Sequence, residues 1–83
     1  MSDDKSICEE QHFHNFYNEQ AESLRNFLYY KCGDLSEAED LVQESFIRVW
    51  NKCKEVIFTK AKSFLYTVSN RLFIDQYRKV QVS

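Results

Sequence analysis

Apolar residues recur at steps of three and four along most of the chain, which is the spacing of amphipathic helices. The first run begins near Glu9 and should end at Cys32, because Gly33 is the only glycine and can take the left-handed conformation that follows many helices. Asn18 can cap a helix, so a break near it is an alternative. The run predicts a helix whose apolar side carries Phe13, Phe16, Tyr17, Ala21, Leu24, Phe27 and Leu28.

A second helix should start close behind the first, since only two residues separate Gly33 from Ser36. Ser36 and Glu39 fit a capping box, in which the side chain of each accepts a hydrogen bond from the backbone N–H of the other. This is the clearest element of the pattern. Its apolar stripe carries Ala38, Leu41, Val42, Ser45, Phe46, Val49, Trp50 and Cys53.

The opposite side of the second helix carries three polar residues and one isoleucine. Ile47 points about 140° away from Val42 at helical spacing, so a core on the stripe side does not explain it. An apolar residue beside acidic groups is typical of a surface that binds a basic helix of a partner. The alternative is a solvated acidic face. The residues of this side are Asp40, Gln43, Glu44 and Ile47.

The last third of the chain predicts a loop at 54–60 and a third helix from about Ala61 to Lys79, with Ala61, Phe64, Leu65, Val68 and Leu72 inside. Exposed rings that stack bases, beside cations that hold phosphates, are typical of a single-stranded nucleic-acid site. The alternative is that these rings complete the core against the first helix. The outer residues are Tyr66, Phe73 and Tyr77, interleaved with Lys62 and Asn70 and flanked by Arg71 and Arg78.

Composition narrows the class of protein. With 83 residues, one glycine and no proline, the chain predicts a single all-α domain, a compact bundle of three to four helices with a long last helix. We find no membrane span, no nucleophile–base set, no phosphate-binding loop and no metal-ligand cluster in the sequence. We therefore expect a cytoplasmic protein that is not an enzyme and uses no cofactor or metal. Its three cysteines lack CxxC spacing and are expected to be reduced, with Cys53 filling the core.

The chain has a net charge of −2, but its acidic and basic residues are distributed unevenly along the sequence. Residues 1–50 contain eleven acidic and four basic residues, a net charge of −7. Residues 51–83 contain seven basic and two acidic residues, a net charge of +5. Because the local field steers association, the first part is suited to a basic partner and the second to phosphate groups.

The motif EDLVQESFIRVW at 39–50 resembles region two of the extracytoplasmic-function (ECF) group of bacterial sigma factors. The segments SFLYTV at 63–68 and LFIDQYRK at 72–79 resemble the same region, and the resemblance covers about residues 10–80. It implies a helical domain that binds core RNA polymerase and recognises and melts the promoter −10 element in transcription initiation. On this basis 1–8 form a flexible N-terminal arm and 9–80 the region-two domain, and the C-terminal domain that reads the −35 element is absent from this chain, which we interpret as a fragment.

The resemblance also implies which residues bind each partner. In the family the acidic helix binds the clamp helices of the polymerase β′ subunit, and the matching positions are Asp40, Gln43, Glu44 and Ile47. The last helix and the loop before it face the non-template strand of the −10 element. The positions expected to contact that DNA are Phe58, Lys60, Lys62, Tyr66, Asn70, Arg71 and Arg78.

The chain departs from the family at 69–71, where it reads Ser-Asn-Arg and the family commonly has Ala-Arg-Asn. Arg71 therefore stands where an asparagine would line a pocket for a flipped base. The family also uses inhibitory anti-sigma proteins, and a fragment held mainly by such a partner is a related alternative. The rival hypothesis from another class is a helical protein-interaction module without DNA function.

Overall fold

The structure is a computed structural model that describes residues 8–82, with the backbone alone at Phe58 and at 77–82. Three helices follow one another: α1 (Glu10–Cys32), α2 (Leu35–Asn51) and α3 (Ala61–Val82). A 3₁₀ turn, Phe58–Lys60, closes the predicted loop and leads into α3. The described residues contain no strand, so the predicted all-α bundle with a long last helix is confirmed. None of the described helices is long and apolar enough to cross a membrane.

The first helix is unbroken over its 23 residues, so the alternative break near Asn18 is not present. It ends as predicted at Cys32. Gly33 has a φ of 74° and donates its N–H to the carbonyl of Tyr29 at 2.8 Å. Only glycine takes this left-handed conformation without steric cost, so Gly33 both closes α1 and redirects the chain into α2.

The second helix is capped by Asp34, whose side chain accepts a 3.2 Å hydrogen bond from the N–H of Glu37. The predicted capping box at Ser36 and Glu39 is therefore wrong. Aspartate caps a helix as well as serine does, and Asp34 lies extended directly after Gly33, so the chain enters α2 two residues earlier than predicted. Ser36 lies inside the first turn instead.

The core is centred on α2, which packs against both α1 and α3, while α1 and α3 contact each other less. The predicted stripe of α2 is buried from Ala38 to Val49. Phe16 of α1 meets Phe46 of α2 edge-on, with the ring centroids 5.8 Å apart. The buried apolar residues are Phe16, Leu24, Leu28, Ala38, Leu41, Val42, Phe46, Val49, Ala61 and Leu65.

Two of the three cysteines form a disulfide, so the expectation that all three are reduced is wrong. Cys8 lies just before α1 and Cys53 just after α2, and their Cα atoms are 5.2 Å apart. A sequence separation of 45 leaves no local spacing motif, and only the antiparallel packing of α1 on α2 brings the two residues together. Cys53 is also partly buried against the core, as predicted.

Cys32 is the free cysteine, and partial burial, Glu37 and Asp34 raise the pKa of its thiol.

Candidate functional site

One side of α2 carries the acidic face, defined as Asp40, Gln43, Glu44 and Ile47. All four residues are exposed, as the pattern predicts. They lie on the side of α2 opposite the apolar stripe, and the stripe is the side that packs into the core. Ile47 is 53% exposed. The Nε atom of Arg48 lies 3.2 Å from a carboxylate oxygen of Glu44, and this exposed ion pair is worth less than about 1 kcal/mol. The face is thus acidic, with an apolar residue at its C-terminal end.

Beside the acidic face, an open groove of about 540 Å³ lies between α1 and α2. We call it the aromatic groove. Trp50 was predicted on the core stripe, yet it is 39% exposed, because its ring lies at the rim of this groove with its centroid 4.8 Å from that of Phe13. The lining residues are Glu10, Phe13, Tyr17, Gln43, Phe46, Ile47 and Trp50.

Sequence reasoning did not identify the α1 residues of the aromatic groove as functional candidates. Phe13 and Tyr17 were assigned to the core side of the first helix, together with Phe16. Of these three, Phe16 is buried, whereas Tyr17 is 37% exposed. Their spacing of three and four positions is that of an ordinary core-facing stripe, so the sequence pattern contains no signal that Tyr17 stays exposed.

The third helix turns Tyr66 and Phe73 toward α1 rather than toward solvent. The ring of Tyr66 meets that of Phe27 with centroids 5.2 Å apart, and Lys31 lies 5.6 Å from the ring of Phe73. Their predicted outer position is therefore wrong, and the alternative of packing against the first helix is confirmed for these two rings. Tyr66 and Phe73 pack inward because α1 is long enough for its second half to continue along α3. Burial raises the pKa of the Tyr66 hydroxyl.

The remaining DNA-binding candidates do not share one face. Lys60 and Lys62 are exposed and Asn70 is half-buried. Arg71 is nine positions from Lys62, about 180° around the helix, so it lies on the opposite side of α3. There it lines a groove of about 700 Å³ with Arg48 and Lys52 from the end of α2. The side chains of Phe58, Tyr77 and Arg78 lie outside those that the structure describes.

The features described above lie on the surface of the domain. Within the part of the chain that the structure describes, no three His, Cys, Asp or Glu residues are grouped to hold a metal ion. Every buried side-chain nitrogen and oxygen atom of those residues has a hydrogen-bond partner. Two surfaces of opposite charge remain, the acidic face of α2 and the lysines that precede and begin α3.

Comparison with known proteins shows which family this chain is similar to. The profile of the Sigma-70 region 2 family matches residues 16–82. The chain is 33% identical over 67 residues to the ECF RNA polymerase sigma factor SigL of Mycobacterium tuberculosis, covering 78% of this chain and 38% of that protein. It is 33% identical over 73 residues to the ECF RNA polymerase sigma factor SigX of Bacillus subtilis, covering 87% of this chain and 38% of the relative. The chain thus spans 38% of the length of these relatives, and no solved structure matches it significantly.

Proposed function

The chain belongs to the Sigma-70 region 2 family, as a region-two domain of the ECF group of sigma factors, and on this premise we propose that it binds core RNA polymerase and melts the promoter −10 element. Each of the two partners is bound by a separate surface of the domain. The acidic face of α2 binds polymerase, and α3 with the loop before it binds the separated DNA strand. We propose that residues 9–80 form this domain and that it acts in the cytoplasm, where transcription takes place.

The observation that carries the polymerase proposal is the exposure of Ile47 among acidic residues. A single exposed isoleucine is common on protein surfaces, but Ile47 also lines the aromatic groove, so a partner helix gains a continuous apolar contact there. Asp40 and Glu44 supply charge complementarity to a basic helix, and Gln43 supplies hydrogen bonds. The proposed partner surface is the pair of clamp helices of the β′ subunit, bound through these four residues.

The DNA proposal rests on the exposed cations Lys60 and Lys62, followed on α3 by Tyr66 and Asn70. Extruding a base from the duplex costs a few kcal/mol, about what one stacking contact with an aromatic ring returns. Tyr66 packs against Phe27 but is only partly buried, and we propose that its exposed part contacts a base. The proposed set of DNA-contacting residues also includes Phe58, Arg71 and Arg78. Because Arg71 lies across α3 from Lys62, we propose that it contacts the DNA backbone rather than the same base.

The proposal is tested by measuring binding of the domain to purified core RNA polymerase by fluorescence anisotropy across a salt series. Saturable binding that weakens with salt is expected. Ile47→Asp should reduce the affinity at least tenfold with an unchanged melting temperature, because Ile47 lies outside the core. Ile57→Asp is the matched control, since Ile57 is 62% exposed in the loop before α3 and should leave binding unchanged.

Two results would contradict this assignment. A folded domain that fails to bind core polymerase at low salt would favour the interaction-module hypothesis. A large loss of stability in Ile47→Asp would place the isoleucine in the core. The inhibitory anti-sigma partner stays a prediction from the family resemblance, and no surface is assigned to it.

A further inference from the structure

The disulfide between Cys8 and Cys53 lies in a domain whose proposed function places it in the cytoplasm. Glutathione and thioredoxin keep cytoplasmic thiols reduced, and the disulfides that form there are usually transient and either catalytic or redox-sensing. We propose that Cys8 and Cys53 form a reversible redox switch, and that the oxidised domain binds the −10 strand more tightly than the reduced domain. This inference rests on the proposed function and deepens it, because it adds regulation to the DNA-binding surface.

The position of the two cysteines allows the bond to form and open within the folded domain. Cys8 precedes α1 and Cys53 follows α2, and their Cα atoms are 5.2 Å apart, within the range found for disulfides. In the same part of the helix pair, the ring of Phe13 contacts that of Trp50 with centroids 4.8 Å apart. This contact does not depend on the bond, so it should keep the two cysteines close to each other in the reduced domain as well.

The surroundings of the bond make it accessible to small thiols. Cys8 and Cys53 are both partly exposed. Exposed disulfides are more easily reduced than enclosed structural ones, and they include most of those that regulate function. Lys52 and Lys54 flank Cys53, and nearby cations favour the thiolate, which is the reactive form of a cysteine. Cys32 takes no part in the exchange, because it lies at the other end of α1, about 35 Å from Cys8.

The oxidant is oxidised glutathione or another low-molecular-weight disulfide, which accepts two electrons. The Cys53 thiolate attacks one sulfur atom of this disulfide, so that a mixed disulfide forms and one glutathione leaves. The Cys8 thiolate then attacks the Cys53 sulfur, the bond between the two cysteines forms, and the second glutathione leaves. Two cysteine thiols are thereby oxidised, one glutathione disulfide is reduced to two glutathione molecules, and the two thiol protons pass to glutathione.

Oxidation acts on the DNA-binding surface through the connection between α2 and α3, which begins next to Cys53. Turns with local backbone hydrogen bonds form this connection, such as the 2.8 Å bond from the N–H of Lys60 to the carbonyl of Ile57. Val56 is partly buried against the core. The disulfide additionally fixes the start of the connection to α1. A connection that is already fixed loses less conformational entropy when Lys60 contacts DNA, so oxidation should raise the affinity.

The first experiment titrates the Cys32→Ser variant, which keeps both switch cysteines, with glutathione buffers of increasing oxidised fraction. Alkylation of free thiols followed by mass spectrometry measures the fraction of oxidised domain. Half-oxidation is expected between the midpoints of thioredoxin and protein disulfide isomerase, which are titrated alongside. A bond that stays closed in the most reducing buffer, or thiols that stay reduced in the most oxidising buffer, would overturn the switch.

The second experiment measures how oxidised and reduced domain, each in complex with core polymerase, bind a single-stranded −10 oligonucleotide. The oxidised domain should bind about fivefold more tightly. The matched control is the double variant Cys8→Ser with Cys53→Ser, which cannot form the bond and should have one affinity in both redox buffers. This control also reveals any effect of the buffers on the polymerase. Circular dichroism verifies that the reduced domain is folded.

The outcomes separate the switch from the function on which it rests. A reversible midpoint together with tighter DNA binding by the oxidised domain supports the switch. Equal DNA affinities of the two forms, or a reduced domain that unfolds, overturn it and leave the function in place. A folded domain that binds neither polymerase nor DNA in either redox state overturns the proposed function and its regulation together.

Discussion

Two serines show how single residues shape the packing of this bundle. Ser45 and Ser69 are fully buried, and each donates its hydroxyl to a carbonyl of its own helix, Leu41 at 2.6 Å and Tyr66 at 3.0 Å. The hydroxyls are therefore satisfied without any partner on another helix. What the small side chains provide is space, since they occupy fully buried positions that the apolar pattern alone would fill with larger residues.

Enlarging one of these serines should destabilise the fold. Ser69→Leu places three additional carbon atoms in a closed site, and overpacking of this kind costs about 1–3 kcal/mol of the free energy of unfolding. Ser63→Leu is the control, because Ser63 is exposed on the same helix and its replacement should change stability by less than about 0.5 kcal/mol. Urea unfolding followed by circular dichroism measures both, and equal midpoints would contradict the packing argument.

At the scale of elements, the bundle depends on how α1 lies along α2. Aromatic contacts join the N-terminal half of α1 to the C-terminal half of α2, and the disulfide between Cys8 and Cys53 closes the same end. The other end is closed by the short connection through Gly33 and Asp34. The two helices are therefore tied together at both ends, whereas α3 is joined to α2 by a longer connection.

Opening the disulfide should lower the free energy of unfolding. For two cysteines separated by 45 positions, loop-closure entropy predicts a loss of about 4 kcal/mol at 25 °C. Thermal unfolding with and without a reductant measures this, and Cys8→Ser in the absence of reductant should behave like the reduced protein. Cys32→Ser keeps the bond and serves as the control.

A count of reactive thiols in denaturant provides an independent check of the pairing. One thiol should react before reduction and three afterwards, because Cys32 alone is free. Three reactive thiols in protein prepared without reductant, or an unfolding temperature that does not respond to reductant, would argue against the Cys8–Cys53 bond.

At the scale of the whole molecule, opposite charges are separated along the chain. The acidic residues concentrate on α1 and α2, and most of the basic residues follow α2. Such a domain repels DNA with one part and attracts it with another, so binding by the isolated domain should be weak and steeply dependent on salt. Polymerase bound on the acidic face would cover part of the repulsive charge, which couples the two proposed binding events.

Replacing Lys62 tests the proposed DNA-binding surface. In the complex with core polymerase, Lys62→Ala should weaken binding to a single-stranded −10 oligonucleotide and reduce the slope of log affinity against log salt by about 1. Lys31→Ala removes an exposed charge from α1, outside the proposed DNA-binding elements, and should leave the slope unchanged. Equal slopes for Lys62→Ala and the unchanged domain would exclude a phosphate contact at this position.

The sequence by itself determined the fold class, three helices, the end of α1 at Gly33 and the exposed acidic face of α2. These features are local, because helical periodicity and capping depend on residues within a few positions of each other. The resemblance carried by the motif at 39–50 also identified the family, which the profile match at 16–82 confirms. The assignments of DNA-contacting and polymerase-contacting residues stay predictions.

Only the tertiary structure decided which helix covers which side chain. Periodicity places Tyr66 or Trp50 at an angle around its own helix axis but contains no information on how far a neighbouring helix extends. Packing of α1 against α3 covers Tyr66, and packing of α1 against α2 leaves Trp50 at the rim of a groove. The pairing of Cys8 with Cys53 has the same origin, since residues 45 positions apart meet only when α1 folds back along α2.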